Sequence, residues 1–194
     1  ISGLIFFSPL LIPIIILVWL QDGHNPFFIS DRVGIDNKKF KMMKLRSMVM
    51  NAEDYGIDST SSDDFRITKV GKFIRKFKLD ELSQLWNVFL GHMSFVGPRP
   101  NVASETELYT YEEKLLLTVK PGITDFSSII FSDEGDILDG TKDPDLAYNQ
   151  LIRPWKSRLG ILYINHQSLL LDLKLIVFTM IAIFKKEIAL RLIN

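Results

Sequence analysis

The hydrophobic pattern divides the chain into an apolar start, a mixed middle and an apolar end. Ile1 to Leu20, ISGLIFFSPLLIPIIILVWL, carries no charged residue. About 20 such residues equal a membrane-spanning helix in length. Ser8-Pro9 and Pro13 interrupt the run. Each proline removes an N–H and clashes one turn back, which kinks or breaks a helix. A broken apolar helix can also enter one leaflet and turn back. The pattern alone leaves spanning and re-entrant topologies open. A cleaved signal peptide fits poorly, because no small-residue cleavage site follows. Arg32, Lys38, Lys39, Lys41, Lys44 and Arg46 come next, which predicts that this side faces the cytoplasm.

Turn signals and periodicity order the rest. Gly23 to Pro26 predicts a turn, Phe27 to Ile29 a short strand leading to Arg32-Val33-Gly34, and Asn37 a second turn. Phe40 to Met48 reads as a strand that puts Lys44 and Arg46 on one face. Asn51 to Asp64 is polar and predicts a loop. Val70 to Phe77 predicts a short basic helix. Leu82, Leu85, Trp86 and Phe89 recur at helical spacing, with Gly91 as the C-cap. Gly97-Pro98-Arg99-Pro100 predicts a rigid loop. Thr106 to Val119 predicts a helix stopped by Lys120-Pro121-Gly122, and Asp143 to Arg158 another, interrupted near Pro154. Leu169 to Phe184 is apolar but carries Asp172 and Lys174. Ile176, Phe178, Met180, Ile183 and Phe184, followed by Lys185 and Lys186, fit an amphipathic helix at a membrane interface. A core helix fits the same periodicity.

The predicted fold is α+β, mostly helical. Residues 23–194 are expected to form one compact cytosolic domain with interfacial helices, including one near 169–186, and residues 1–22 a membrane segment. The chain opens on Ile rather than Met, so it reads as a piece of a longer protein. Its 194 residues suffice for a sizeable core.

Net charge is zero, with 23 basic and 23 acidic residues, but the signs are segregated. Cations dominate from Arg32 to Lys78 and acids from Asn101 to Gln150. A basic half suits an anionic partner such as a nucleotide or lipid phosphate. It is too dilute, and too short of interleaved aromatics, for a nucleic acid. There are no cysteines, which excludes disulfides, thiolate catalysis and Cys-based metal sites. His24, His92 and His166 lie far apart and form no ligand pair at i, i+3 or i, i+4 spacing. No GxGxxG or Walker loop is present.

Asp80-Glu81 stands out. The two acids sit between a basic segment (Arg66, Lys69, Lys72, Arg75, Lys76, Lys78) and the start of an apolar helical pattern. Adjacent carboxylates amid cations suit phosphate and metal chemistry. An acidic helix cap reads the same pair without chemistry. Arg75, Arg99, Lys44, Arg46 and, more weakly, Arg32 are candidate phosphate ligands; each also reads as a solvated surface cation.

The run LDELSQLWNVFLGHMSFVGPRP resembles the signature of bacterial sugar transferases, the monotopic polyprenyl-phosphate phosphoglycosyl transferases. Further blocks agree in the same order: Ser8-Pro9, Arg32-Val33-Gly34, Phe40 to Met48, Arg66 to Arg75, Pro121 to Thr124, and Leu171 to Lys174. The resemblance covers nearly the whole chain. It implies transfer of a phospho-sugar from a UDP-sugar to polyprenyl (undecaprenyl) phosphate, with release of UMP, as the initiating step of glycan assembly. It implies Asp80 as the nucleophile that carries the phospho-sugar and Glu81 as a Mg2+ ligand. It also implies a re-entrant helix-break-helix with Ser8-Pro9 at the break, seated in the bacterial inner (plasma) membrane with the catalytic domain on the cytoplasmic face. The implied partners are the UDP-sugar, the polyprenyl phosphate and the lipid bilayer, with a homo-oligomer possible. An inactive scaffold with the same fold, or direct transfer with Asp80 as base, are the alternatives.

The chain departs from the family pattern at Ser83, His92 and Asp125, where proline, aspartate and glycine are usual. The basic stretch that normally precedes the membrane segment is absent, which reads as truncation. Nothing in Ser127 to Asp145 reads as a donor code, although that region is where donor choice is expected.

Overall fold

A computed structural model describes residues 2–56 and 59–193. The apolar N-terminal run is one helix, α1 (Ser2–Leu20), with Pro9 and Pro13 inside it. Leu11, Ile14 and Val18 share one face and are buried against Leu45 and Ile74. Partly buried Phe27, Val70, Leu79 and Leu82 complete this cluster. An interior proline costs about 3 kcal/mol, and each buried aliphatic side chain stabilises by about 1.5–3 kcal/mol. Packing therefore holds a continuous helical path through the prolines, and the expected helix-break-helix at Ser8-Pro9 is not formed. Among the described residues, no helix is long and apolar enough to cross a membrane. These findings overturn both the re-entrant membrane segment and the inner-membrane location inferred from it.

Strands β1 (Phe27–Val33) and β2 (Lys39–Leu45) form an antiparallel pair, with Phe28 opposite Lys44 and Arg32 opposite Phe40. Helix α2 (Lys69–Lys76) starts at Thr68, whose Oγ1 accepts a hydrogen bond from Gly71 N at 2.9 Å. That bond satisfies one of the free N–H groups of the first turn. Gly71 passes so close to Ser47 O that a Cβ would sit 1.8 Å from it. The Arg66 to Arg75 block thus holds backbone against backbone. After α3 (Leu85–Phe89) come β3 (Ser94–Val96), α4 (Ala103–Thr106) and β4 (Gly122–Thr124), the last parallel to β3.

The helix expected over Thr106 to Val119 is split. α4 ends at Thr106, and a 3-10 turn occupies Glu113–Thr118. Thr110 N donates to Glu113 Oε2 at 2.9 Å and Glu113 N to Thr110 Oγ1 at 3.2 Å. This reciprocal capping box starts a new turn, which the hydrophobic period alone does not reveal.

Helices α5 (Phe126–Ile130), α6 (Glu134–Ile137) and α7 (Pro144–Ala147) are short. A π turn over Tyr148–Ile152 then leads into α8 (Arg153–His166), so the interruption expected near Pro154 falls just before it. The last helix is α9 (Leu169–Ile193). Its Leu175, Ala182 and Ala189 are buried with Val96, Ile129 and Tyr163 in a second cluster. One face of this segment is therefore core, while Leu173, Val177, Met180 and Phe184 remain exposed. Asp172 accepts from Tyr163 Oη at 2.8 Å. The described chain is a mostly helical α+β fold with two small sheets.

Candidate active site

Leu79–Gln84 is a 3-10 turn that runs directly into α3. Lys78, just before it, takes a left-handed φ of +55°, which only a constrained turn imposes on a long side chain. The helix expected at Asp80 is thus a tighter turn, with a weaker dipole than a full α-helix would supply.

This segment lies along the outer edge of β2. Asn87 Oδ1 accepts from Met43 N at 2.9 Å, and Asn87 Nδ2 donates to Lys41 O at 2.6 Å. Ser83 Oγ donates to Met43 O at 3.2 Å. Side chains take the place of a third strand and satisfy the exposed ladder groups. Ser83, where the family has proline, makes a bond that proline could not. From the opposite side Leu79 and Leu82 insert into the α1 cluster. Asp80 and Glu81, next to these leucines, are left only 8% and 9% exposed.

Glu81 is gripped by cations. Arg99 Nη2 donates to its Oε1 and Arg99 Nη1 to its Oε2 at 3.3 Å, while Lys44 Nζ lies 3.6 Å from Oε1. The fork is the bidentate geometry that guanidinium offers a carboxylate. Arg99 sits in the proline-flanked loop after β3, as the sequence predicts. These charges overcome desolvation and hold the Glu81 carboxyl far below its usual range. Asp80 goes the other way. Burial and the neighbouring Glu81 charge push its pKa above the usual 3.8, against Lys44, Arg75 and Lys78. Its Oδ1 is buried without a hydrogen-bond partner. At Asp80 desolvation prevails over the surrounding cations. Burial likewise lowers Lys44 to about 8, helped by the Arg99 charge.

The other expected ligands separate. Arg75, half-buried at the end of α2, lies close enough for its charge to act on Asp80. Arg32 shares a sheet face with Lys44 and acts on it electrostatically. Arg46 is not part of the site. β2 ends at Leu45, so strand alternation no longer aligns Arg46 with Lys44. Its guanidinium instead forks onto Asp22 at 2.6 Å and 2.6 Å and donates to Asn25 O at 2.9 Å. Ser8 and Pro9 lie within α1. His92 is exposed, its ring 5.9 Å from that of Phe40. Asp125 caps α5, accepting from Ser128 N at 2.8 Å and from the hydroxyls of Ser127 and Ser128.

Sequence reasoning missed Lys78, Glu134 and Lys156. Lys78 adjoins the dyad in sequence and acts on both acids. Glu134 falls within the Ser127 to Asp145 region where donor choice is expected, though no motif singles it out, and Lys156 lies outside it; Glu134 acts on Arg99 and Arg99 on Lys156. An open cavity of about 500 Å³, lined by Asp36, Asn37, Thr106, Lys114, Leu117 and Thr118, contains none of these residues. Charge and burial, rather than concavity, single out the dyad. Among the described residues no three His, Cys, Asp or Glu side chains converge as a metal cage. The two dyad carboxylates, one with an unpartnered buried oxygen, nevertheless suit a hard cation that keeps water and phosphate in its shell.

Comparison with known proteins supplies the family. The family model described as "Bacterial sugar transferase" matches residues 1–186. The chain is 33% identical over 173 residues to "Uncharacterized sugar transferase EpsL" of Bacillus subtilis, covering 89% of this chain and 77% of that protein. It is 37% identical over 180 residues to "UDP-glucose:undecaprenyl-phosphate glucose-1-phosphate transferase" of Klebsiella pneumoniae, covering 91% of this chain and 36% of that one. It is 40% identical over 140 residues to "UDP-galactose-lipid carrier transferase" of Erwinia amylovora, covering 63% of this chain and 29% of that protein. The chain thus spans only 29 to 36% of the length of several curated relatives it matches. With the signature residues assembled around one buried dyad and the match running almost end to end, this chain belongs to the bacterial sugar transferase family.

Proposed function

We propose that this chain is the catalytic unit of a phosphoglycosyl transferase, moving a phospho-sugar from a UDP-sugar to polyprenyl phosphate with release of UMP. The observation that carries this reading is the buried Asp80 with an unpartnered carboxylate oxygen, beside a Glu81 held by Arg99 and Lys44. The relatives named for UDP-sugar to lipid-carrier transfer support the substrate classes. The step fits the start of glycan assembly.

Asp80 attacks the sugar-bearing phosphorus of the UDP-sugar. A P–O bond forms to its carboxylate oxygen, and the bond to the bridging oxygen breaks, so that UMP leaves with the electron pair. A phosphate oxygen of the acceptor lipid then attacks the same phosphorus. The bond to Asp80 breaks, and the carboxylate is restored. Desolvation makes Asp80 more basic and strips water from its free oxygen. On this reading Lys44, Arg75 and Arg99 hold phosphate oxygens as charge moves between them. Glu81, with Asp80 beside it, would hold Mg2+, which neutralises diphosphate charge when bound.

The raised Asp80 pKa also suits a general base. On that second reading, the acceptor and donor react directly in a ternary complex. Incubation with a radiolabelled UDP-sugar and no acceptor separates the two. Label retained on the protein and lost in Asp80→Asn supports the covalent route. UMP release only when acceptor is present, with no labelled protein, supports the direct one.

A further inference from the structure

We propose that Glu134 and Lys156, set against the ring of Tyr148, form the subsite that recognises the donor's sugar. The proposal rests on the phosphoglycosyl-transfer reading and adds what that reading leaves open. Lys156 Nζ is ion-paired with Glu134 Oε2 and lies 5.0 Å from the centroid of the Tyr148 ring. The two charged side chains are partly exposed, at 16% and 30%. Tyr148 opens the π turn, an irregularity that concentrates at functional sites.

The packing of α8 places this cluster beside Arg99. Tyr163 Oη, which donates its proton to Asp172, lies 3.4 Å from Val96 O. One turn earlier, a Cβ on Gly160 would stand 3.4 Å from Pro98 Cβ, so α8 follows the chain that leads to Arg99. Lys156 is one further turn back on the same face. The charges of Glu134 and Asp125 act on both Arg99 and Lys156.

Charge balance then divides the donor. Beside Asp80, the cations Lys44, Arg75 and Lys78 act together, which suits phosphate. Beyond Arg99, the acids offset the cations. A neutralised acid–base pair on an aromatic ring offers hydrogen-bond acceptors, donors and an apolar face, which suits a neutral polyhydroxylated ring. The sugar is joined through one oxygen to the phosphorus that Asp80 attacks, so it must lie next to the phosphate held at Arg99.

The test is UMP release by the wild-type chain, Glu134→Gln, Lys156→Gln and Lys156→Arg across a panel of UDP-sugars, with UDP as competitive inhibitor. In both glutamine variants kcat/KM for the preferred donor is expected to fall on the order of tenfold, the effect of losing a hydrogen bond to a charged group. The ranking of sugars should change and the UDP inhibition constant should stay near wild type. Lys156→Arg keeps the ion pair and should still alter the ranking. Equal loss for all sugars with weaker UDP inhibition, or an unchanged ranking in Lys156→Arg, overturns the subsite while leaving the transferase reading intact. A wild-type chain that releases UMP from no UDP-sugar overturns both.

Discussion

Arg99 forks across both carboxylate oxygens of Glu81, while Asp80 beside it keeps a buried oxygen with no partner. The adjacent acids are therefore pushed in opposite directions, Glu81 towards permanent ionisation and Asp80 towards the proton. Opposed environments of this kind separate catalytic roles. Arg99→Ala leaves the Glu81 charge buried with only Lys44, and UMP release is expected to fall by about 100-fold or more. Arg99→Lys should recover little, because ammonium cannot reproduce the fork. Near-wild-type turnover in Arg99→Ala would remove the pair from the site.

Asp80 carries a stability cost. Its folded pKa is raised, so its contribution favours folding in acid and is lost as pH rises through the folded value. Asp80→Asn removes a buried charge at nearly constant shape. Turnover should vanish, while Tm at pH 7 should match or exceed wild type, by about 2–4 °C per kcal/mol relieved. Calorimetry and UMP release on the same preparation check this; a clear drop in Tm contradicts the desolvation argument.

Lys44 titrates at about 8 rather than 10.5. Its folded pKa is depressed, so the folded protein is penalised while Lys44 is charged, and the penalty is relieved as pH rises from about 8 towards 10.5. Activity that uses the Lys44 charge should decline over the same range. The alkaline limb of kcat/KM is expected near pH 8 in wild type and shifted upward in Lys44→Arg. An alkaline limb unmoved by that substitution assigns it to another group.

Asn87 and Ser83 hold the dyad segment to β2. Asn87→Ala leaves Met43 N and Lys41 O without their partner, at about 1–3 kcal/mol for each buried group. Ser83→Ala removes one bond, worth about 1 kcal/mol. Urea unfolding should rank Asn87→Ala well below Ser83→Ala, with wild type highest; the reverse order would detach the edge from these side chains.

Arg46 belongs to stability. Asp22 is held at about 2 by Arg46, so this contribution is full above pH 3.8 and is lost as pH falls through about 2. Arg46→Ala should lower stability at pH 7 by about 1–3 kcal/mol and leave KM for the UDP-sugar unchanged. A raised KM without loss of stability would return Arg46 to the phosphate site.

Much of this was legible locally. The ordered blocks from Arg32 to Lys174 identify the family. The basic run from Val70 to Phe77 marks most of α2, and the alternation from Phe40 yields β2 with Lys44 on one face. These signals act within one turn or one strand period, so neighbouring residues encode them. Other features depended on distant packing. The α1 face of Leu11, Ile14 and Val18 carries a helix through two prolines and supports the leucines that flank the dyad. That burial raises the Asp80 pKa against the pull of the surrounding cations. The end of β2 one residue before Arg46 separates it from Lys44. Arg99 meets Glu81, and Lys156 meets Glu134, across 18 and 22 residues of chain. The sequence by itself determined which chemical groups are present and where its turns begin. Only the tertiary structure decided which of those groups share a desolvated site, because desolvation and charge pairing depend on distances that no local period encodes.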